Sequence, residues 1–105
     1  MKEPYIYSVT NHVATFSVND EPYNLMPVDY IDRLEQQLPE VLADDSIRAI
    51  VFTAEGLANF SAGMNPRQIP EGIKRAGSPE AFFDQRHRVL AMIEHGGKPS
   101  IATFF

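Results

Sequence analysis

Apolar and polar residues alternate along the chain's first two apolar stretches. In the second of these, Ala14, Phe16 and Val18 fall on one side and the residues between them fall on the other. Strict alternation of this kind predicts a β-strand with one buried face. Residues 5–9 form the earlier apolar stretch, and the turn-like residues 10–12 separate the two. The pattern therefore predicts an antiparallel β-hairpin at the start of the chain.

A helical period replaces this alternation from residue 27 to the turn at residues 43–46. Pro39 lies inside the helical pattern and lacks a backbone donor, so we expect it to bend or interrupt the helix. A second helix is predicted over residues 79–95, because Ser78 is a good capping residue and a proline and an acid follow it. The basic residues 86–88 are expected on the surface or edge of that helix. The predicted buried stripes are Ile31, Leu34, Leu38, Val41 and Leu42 in the first helix, and Phe82, Phe83, Val89, Leu90 and Ile93 in the second.

Two further apolar runs predict the remaining strands. Residues 47–53 are almost continuously apolar, which suits a strand covered on both faces, as in a parallel sheet. Residues 100–105 form another apolar strand, so these two runs and helix 79–95 make a right-handed β-α-β unit. Residues 54–78, between the first of these runs and helix 79–95, lack strong periodicity. They are predicted as a long loop with a helical turn near residues 66–69. The predicted fold class is α/β.

Composition is typical of one small globular domain. The chain has 105 residues, of which 44% are hydrophobic and 22% are charged. Cysteine is absent, which excludes a disulfide scaffold and cysteine chemistry and agrees with a reducing compartment. The sequence contains no apolar run long enough to span a membrane. Residues 1–5 lack the apolar core of a signal peptide, so we expect a cytoplasmic location and no membrane partner.

Charge is unevenly distributed along the sequence. Residues 1–55 contain ten acidic and three basic residues, and residues 56–105 contain four acidic and six basic residues. The overall net charge of −5 argues against nucleic acid as a partner. The basic second half could steer a phosphate-bearing small molecule towards it. The alternative is that most of its arginines are simply solvated surface residues.

The loop at residues 58–66 carries the strongest candidate for chemistry. Ala62 and Gly63 leave the backbone open, so N–H groups there can bind an anion or a polarised carbonyl oxygen. The alternative is an ordinary strand-to-helix turn in which Phe60 plugs the core. Ser61 is the obvious reactive side chain, but the sequence nominates no base to activate it. His12, His87 and His95 are not spaced as metal ligands, and no metal site is predicted.

Five segments, taken in order, resemble the N-terminal part of the enoyl-CoA hydratase/isomerase (crotonase) family. Residues 13–19 are similar to its opening strand, and residues 22–26 to its proline-to-asparagine segment. Residues 47–56 are similar to its apolar strand followed by glycine. Residues 60–65 are similar to its F-[CSA]-A-G-x-D signature, and residues 98–102 to the Lys-Pro lead into its next strand. The resemblance covers essentially the whole chain.

The resemblance implies a fold and a chemistry. The fold would be a crotonase-like spiral of β-β-α units, of which residues 1–105 form the N-terminal part of an acyl-CoA-binding domain. Members assemble as trimers or hexamers and bind acyl-CoA thioesters, with coenzyme A as part of the substrate and no separate cofactor. Two backbone N–H groups bind the thioester oxygen and stabilise an enolate, and the first would be that of Met64. The residues implied along the coenzyme A are Pro22, Tyr23, Ala62, Asn65 and Pro66.

Some features depart from the family pattern. Asn65 replaces the usual Asp, and the segment at residues 22–24 is shorter than is common. The resemblance implies that the second oxyanion donor comes from a Gly-rich segment beyond Phe105 and that the acid/base carboxylates follow that segment. We therefore expect the chain to be the N-terminal portion of an enzyme of the hydratase/isomerase class. We expect the 105 residues alone to be inactive. None of Glu71, Glu80, Asp84 or Glu94 can be assigned an acid/base role from the match.

Two alternatives to a hydratase or isomerase are left open by the residues. One is a non-catalytic relative that binds coenzyme A or a partner chain through its apolar strand at residues 100–105. The other is a member of the same fold with hydrolase, dehalogenase or decarboxylase activity, since such members differ mainly in their acid/base residues. The acyl group and the oligomeric state are left open as well.

Overall fold

Four strands and three α-helices make up the part of the chain that the structure, a computed structural model, describes: residues 3–56 and 58–103. In chain order they are β1 (Tyr5–Thr10), β2 (Val13–Val18), α1 (Asp29–Ala43), β3 (Ala49–Ala54), α2 (Ile69–Ala76), α3 (Pro79–Glu94) and β4 (Ser100–Ala102). A short 3-10 turn, Pro66–Gln68, leads directly into α2. The α/β class predicted from the sequence is confirmed.

The strands form one mixed sheet in the order β1-β2-β3-β4. The predicted hairpin is confirmed: β1 and β2 are antiparallel, with Tyr5 opposite Val18. Asn11 and His12 close it with positive φ angles of 52° and 68°, as a two-residue hairpin turn requires. β3 lies parallel to β2 and β4 lies parallel to β3, so the predicted β-α-β unit is also confirmed.

Register places the core on one face of the sheet. Phe16 lies opposite Tyr7 on one side and Phe52 on the other, and its ring centroid is 5.0 Å and 5.4 Å from theirs. Phe16 is fully buried, because α1 and α3 cover this face with apolar side chains. The buried residues supplied by the helices to this core are Tyr30, Leu34, Leu38, Val41 and Val89.

α1 departs from its prediction in one respect. It runs from Asp29 to Ala43 without a break, although Pro39 lies inside it, so the expected interruption does not occur. Pro39 is exposed, and near the helix surface water can hydrate a carbonyl that has lost its donor. The predicted stripe is otherwise correct, with Ile31 and Leu42 half-buried against the core.

Residues 54–78 were predicted as a loop with a helical turn near residues 66–69, which the 3-10 turn Pro66–Gln68 confirms, but α2 was missed. It has only eight residues, contains Gly72 and begins next to Pro70, which weakens any local helical signal. Its position is fixed by packing instead, because Gly72 is buried against Phe82 of α3. Gly77 ends it in a left-handed conformation, and its N–H donates to the carbonyls of Ile73 and Lys74.

α3 begins as predicted, with the Ser78 hydroxyl accepting a hydrogen bond from the Ala81 N–H at 3.1 Å. Its predicted buried face is partly wrong. Phe83 and Leu90 are 46% and 57% exposed, whereas Arg86, predicted on the surface, is only 7% exposed. The face turned towards α1 and α2 takes every third or fourth residue from Phe82, and this spacing selects Arg86 and Val89 rather than Phe83 and Leu90.

β3 and β4 are shorter than the apolar runs that predicted them. β3 begins at Ala49, and Ile47 is buried just before the strand. Four of the six β3 residues are half-buried, so the two-sided cover expected for this strand is incomplete. All three residues of β4 are exposed. Phe104 and Phe105, which the sequence assigned to this last strand, lie outside the described residues.

Candidate functional site

Two loop segments meet beside the end of β3 and form a short parallel ladder, residues 23–26 against residues 62–65. The Ala62 N–H donates to the Tyr23 carbonyl at 2.8 Å. The Met26 N–H donates to the Gly63 carbonyl, and the Asn65 N–H donates to the Met26 carbonyl, both at 2.9 Å. Met26 and Met64 are thereby paired as an isolated parallel bridge.

This pairing turns the backbone N–H and carbonyl of Met64 away from residues 23–26. In a parallel bridge the partner strand bonds the residues on either side of the paired one, so the groups of Met64 point away. Among residues 3–56 and 58–103, no hydrogen-bond acceptor is placed for this N–H. The same peptide unit contains the Gly63 carbonyl, which is bonded to Met26. A trans peptide is planar, so the N–H points opposite to that carbonyl and its direction is fixed.

Gly63 is the residue type that this arrangement requires. Its φ angle is +102°, and a Cβ atom built there would meet no atom within 4 Å. A side chain at position 63 would therefore have space. Glycine is favoured there because of the positive φ angle, which L residues rarely adopt. The small-residue argument made from the sequence for this loop holds for Gly63.

Asn24 anchors the first segment of the ladder and was not predicted as a site residue. It is 1% exposed, and its Nδ2 donates to the carbonyls of Glu55 and Asn59 at 3.0 Å and 2.7 Å. Its Oδ1 accepts from the Asp20 N–H at 3.0 Å. Asn24 has a φ angle of +50°, which Asn tolerates better than most residues. The sequence signals were an Asn in a Pro-containing loop and the similarity of residues 22–26 to the family's proline-to-asparagine segment.

The Ser61 hydroxyl links the two loop segments by hydrogen bonds to their backbone. The Oγ donates to the Asn24 carbonyl at 2.7 Å and accepts from the Gly63 N–H at 3.0 Å. Both directions of the hydroxyl are thus used locally, which fits a structural role better than a nucleophilic one. The neighbouring Phe60 is half-buried against the core, as the alternative interpretation of this loop expected.

The residues predicted along the coenzyme A lie around the same ladder. Pro22, Tyr23, Ala62 and Pro66 are exposed, Tyr23 to 63%, and Pro22 follows a cis peptide bond. The Asn65 Oδ1 accepts from the Arg67 N–H at 3.1 Å and caps the 3-10 turn. These five residues lie in or next to the two loop segments of the ladder, and their role in binding stays a prediction.

Two cavities of the described chain lie beside the candidate site and between the helices. One of about 360 Å³ borders Asn65 and is lined by Glu3, Asp20 and Asp29, so its charge is acidic. A larger one of about 550 Å³ lies between the three helices. Neither of these two cavities is lined by Met64.

Basic residues in the second half of the chain are largely engaged across helices. Arg88 Nε donates to a Glu35 carboxylate oxygen at 2.8 Å, and this hydrogen bond lowers the pKa of Glu35. Arg75 lies 3.8 Å from Asp32. These pairs favour the interpretation of the arginines as surface residues over a phosphate-steering role.

Arg86 is a buried charge that braces α1 against α3. One terminal nitrogen donates to the Val28 carbonyl at 3.2 Å, and the guanidinium lies 3.6 Å from the centroid of the Phe82 ring. Burial lowers the pKa of Arg86. Its Nε is buried without a partner among the described residues.

Histidine and carboxylate side chains do not assemble a metal site within residues 3–56 and 58–103, where no three of them come together as ligands. His12 Nδ1 lies 2.8 Å from the Ser46 carbonyl in an exposed position, and His87 and His95 are exposed on and after α3. No helix in the described part of the chain is both long and apolar enough to cross a membrane.

The sequence profile of a family described as enoyl-CoA hydratase/isomerase matches residues 14–104. No curated protein sequence matches the chain. Solved structures match its fold closely. An enoyl-CoA hydratase/carnitine racemase from Magnetospirillum magneticum has a TM-score of 0.82 at 17% identity, with 100% of this chain and 40% of that one covered.

Two further solved structures have the same fold. A carnitinyl-CoA dehydratase from Mycobacterium thermoresistibile has a TM-score of 0.78 at 23% identity, covering 96% of this chain and 30% of that one. An enoyl-CoA hydratase/isomerase from Pseudoalteromonas atlantica T6c has a TM-score of 0.73 at 25% identity, covering 95% and 38%. The chain thus spans less than half the length of these structures, and the crotonase-like fold predicted from the sequence is confirmed over that portion.

Proposed function

The chain belongs to the enoyl-CoA hydratase/isomerase family, and from this we propose that it binds an acyl-CoA thioester whose carbonyl oxygen accepts from the Met64 N–H. The observation that carries the proposal is this N–H, which has no partner among the described residues and is held in direction by the bond between the Gly63 carbonyl and Met26. A donor fixed before the ligand arrives need not reorganise when charge develops on the ligand.

The proposed chemistry passes through an enolate. Negative charge accumulates on the thioester oxygen when the carbon next to the thioester carbonyl loses a proton or when a nucleophile adds to the conjugated double bond. A hydrogen bond that strengthens with this charge accelerates the reaction, and one such donor is worth roughly 3 kcal/mol of transition-state stabilisation. The Met64 N–H is proposed as the first of two donors.

Coenzyme A is proposed to follow the exposed surface around the ladder. Pro22, Tyr23, Ala62 and Pro66 expose their side chains there, and the Asn65 side chain is committed to capping the 3-10 turn. Because Asn65 is neutral, it adds no charge to the acidic cavity lined by Glu3, Asp20 and Asp29. Asn65 should therefore repel the coenzyme A phosphates less than an acidic residue at position 65 would.

The parent reaction is proposed as addition of water across, or movement of, a double bond conjugated to the thioester. Hydrolase, dehalogenase or decarboxylase activity on the same fold is the alternative, since the acid/base residues that distinguish these reactions are not assigned in residues 1–105. For the same reason we expect the isolated 105-residue chain not to turn over a 2-enoyl-CoA. A location in the cytoplasm and a homo-oligomeric assembly complete the proposal.

Comparing two ligands tests the proposed site. Butyryl-CoA has the thioester oxygen, and its thioether analogue lacks it. We expect the chain to bind the thioester more tightly in calorimetric titrations, and Met64→Pro, which removes the N–H, to abolish this preference. Met64→Leu keeps the N–H and serves as the matched control. Equal affinity of the unmodified chain for both ligands would contradict the proposal, and turnover of crotonyl-CoA by the chain alone would contradict the expected inactivity.

A non-catalytic binding role is the second candidate. It is favoured by β4, whose three residues are exposed at the edge of the sheet and include Ile101 at 55% exposure. An exposed apolar edge can pair with another strand. Size-exclusion chromatography with light scattering separates the candidates: a stable oligomer that dissociates in Ile101→Lys, without any thioester preference, would favour the binding role.

A further inference from the structure

We propose that Asn24 and Ser61 are positioning residues that together set the direction of the Met64 N–H. The inference rests on the proposed function and adds two side chains to it. Neither side chain reaches the N–H itself. Ser61 acts on the peptide unit that precedes this N–H, and Asn24 acts on the segment that runs beside it.

Asn24 holds the segment that supplies the partner groups of the ladder. Its side chain spans three separate backbone positions, at Asp20, Glu55 and Asn59. This fixes the position of Tyr23 and Met26, whose backbone groups bond the second segment. Asn24 is buried, and a buried amide is held firmly when all of its groups are bonded.

Ser61 joins the two segments through one oxygen atom. Its hydroxyl donates to the Asn24 carbonyl and accepts from the Gly63 N–H. The Gly63 N–H belongs to the peptide unit just before the one that contains the Met64 N–H. Ser61 thus fixes one peptide plane and Met26 fixes the next, which leaves the Met64 N–H a single direction.

The hydrogen bonds made by the side chains of Asn24 and Ser61, here called the Asn24–Ser61 relay, are confined to the loops. Asn24 and Ser61 bond loop backbone at residues 20, 24, 55, 59 and 63, and neither belongs to the buried apolar cluster. Loss of the relay should therefore disturb the direction of the N–H more than it disturbs the sheet and helices. This separates a positioning role from a contribution to overall stability.

Four variants of the full chain test the relay. Asn24→Gly removes the side chain but keeps a residue that tolerates positive φ. Ser61→Ala removes the hydroxyl, and Ser61→Thr retains it. Asn11→Gly is the matched control, because Asn11 also has positive φ, +52°, but lies exposed in the hairpin turn.

The ratio of affinities for butyryl-CoA and its thioether analogue is the main measurement. We expect Asn24→Gly and Ser61→Ala to reduce this ratio by roughly threefold to tenfold, the range of one hydrogen bond. Ser61→Thr and Asn11→Gly should stay within about twofold of the unmodified chain, by the same measure. In the free protein, the Met64 amide resonance should move in Ser61→Ala while the amides of α3 stay in place.

The outcomes distinguish the two levels of the proposal. Equal affinity of the unmodified chain for both ligands overturns the proposed function and the relay with it. A preference that persists in Ser61→Ala and Asn24→Gly overturns the relay alone. If Asn24→Gly does not fold, Ser61→Ala decides, because it removes a single oxygen from a half-buried position.

Discussion

Gly63 gives the sharpest test of how the loop is held, because a second glycine matches it. Gly63 has a φ angle of +102° and Gly77 one of +98°, and a Cβ atom at either position would meet nothing within 4 Å. Replacing either residue with alanine thus adds a methyl group at a position with nearly the same positive φ angle. Only Gly63 lies next to Met64.

The cost of each substitution can be worked from the backbone. A left-handed conformation costs an L residue roughly 1–2 kcal/mol relative to glycine. Alanine also restricts the unfolded chain, which offsets about 0.4–1 kcal/mol of that cost. We therefore expect Gly63→Ala and Gly77→Ala each to lower the free energy of unfolding by roughly 1 kcal/mol.

The functional effect should separate the two variants. If the backbone of Gly63→Ala relaxes towards negative φ at this position, the carbonyl of residue 63 leaves the Met26 N–H, and the Met64 N–H turns with it because both lie in one peptide unit. Urea unfolding measures the stabilities, and titration with butyryl-CoA and its thioether measures the preference. We expect the preference to fall at least threefold, the low end of one hydrogen bond, in Gly63→Ala only. A similar preference in both variants would refute the coupling between Gly63 and Met64.

Three other predictions concern the helices. Gly72→Ala places a Cβ 2.5 Å from the ring of Phe82, which is 1% exposed. The cost of overpacking, about 1–3 kcal/mol, should exceed the gain in helix propensity of about 1 kcal/mol, so we expect a less stable protein. A variant that is more stable in urea unfolding would contradict this. Glu35→Gln weakens the bond to Arg88, which lowers the pKa of Glu35. A carboxyl group with a lowered pKa stabilises the fold at pH values above the usual carboxyl pKa, and this stabilisation is lost as the pH falls through the lowered pKa. The Tm of the variant should therefore be roughly 1–3 °C below that of the original chain at pH 7. In acid the two Tm values should be equal. Arg86→Met removes a buried charge while keeping volume, so its unfolding free energy should stay within about 1 kcal/mol of the original, whereas Arg86→Ala should lose roughly 2–3 kcal/mol.

Predictions from sequence succeeded where the signal was local. The hairpin, α1, the start of α3 and the parallel strands each arise from a period or a cap contained in a few neighbouring residues. The same rules failed for α2, whose eight residues include Gly72, and for the buried face of α3. In both cases contacts between helices outweigh local preference, and no period in the sequence records them.

The candidate site divides in the same way. Gly63 and its small neighbours are visible in the sequence, because an open turn needs residues of that type. Asn24 was missed as a site residue, since its role depends on carbonyls at Glu55 and Asn59 that are 31 and 35 residues away. No spacing rule applies over such distances.

The sequence by itself determined the class of fold, the family and the loop in which the chemistry is proposed, because periodicity, caps and a short signature are written in adjacent residues. Tertiary structure alone decided that the Met64 N–H has no partner within the described chain and that its direction is fixed. Two segments separated by the whole of α1 and β3 must meet before Met26 can bond Gly63 and Asn65. The direction of a peptide group depends on such partners, and only the folded chain supplies them.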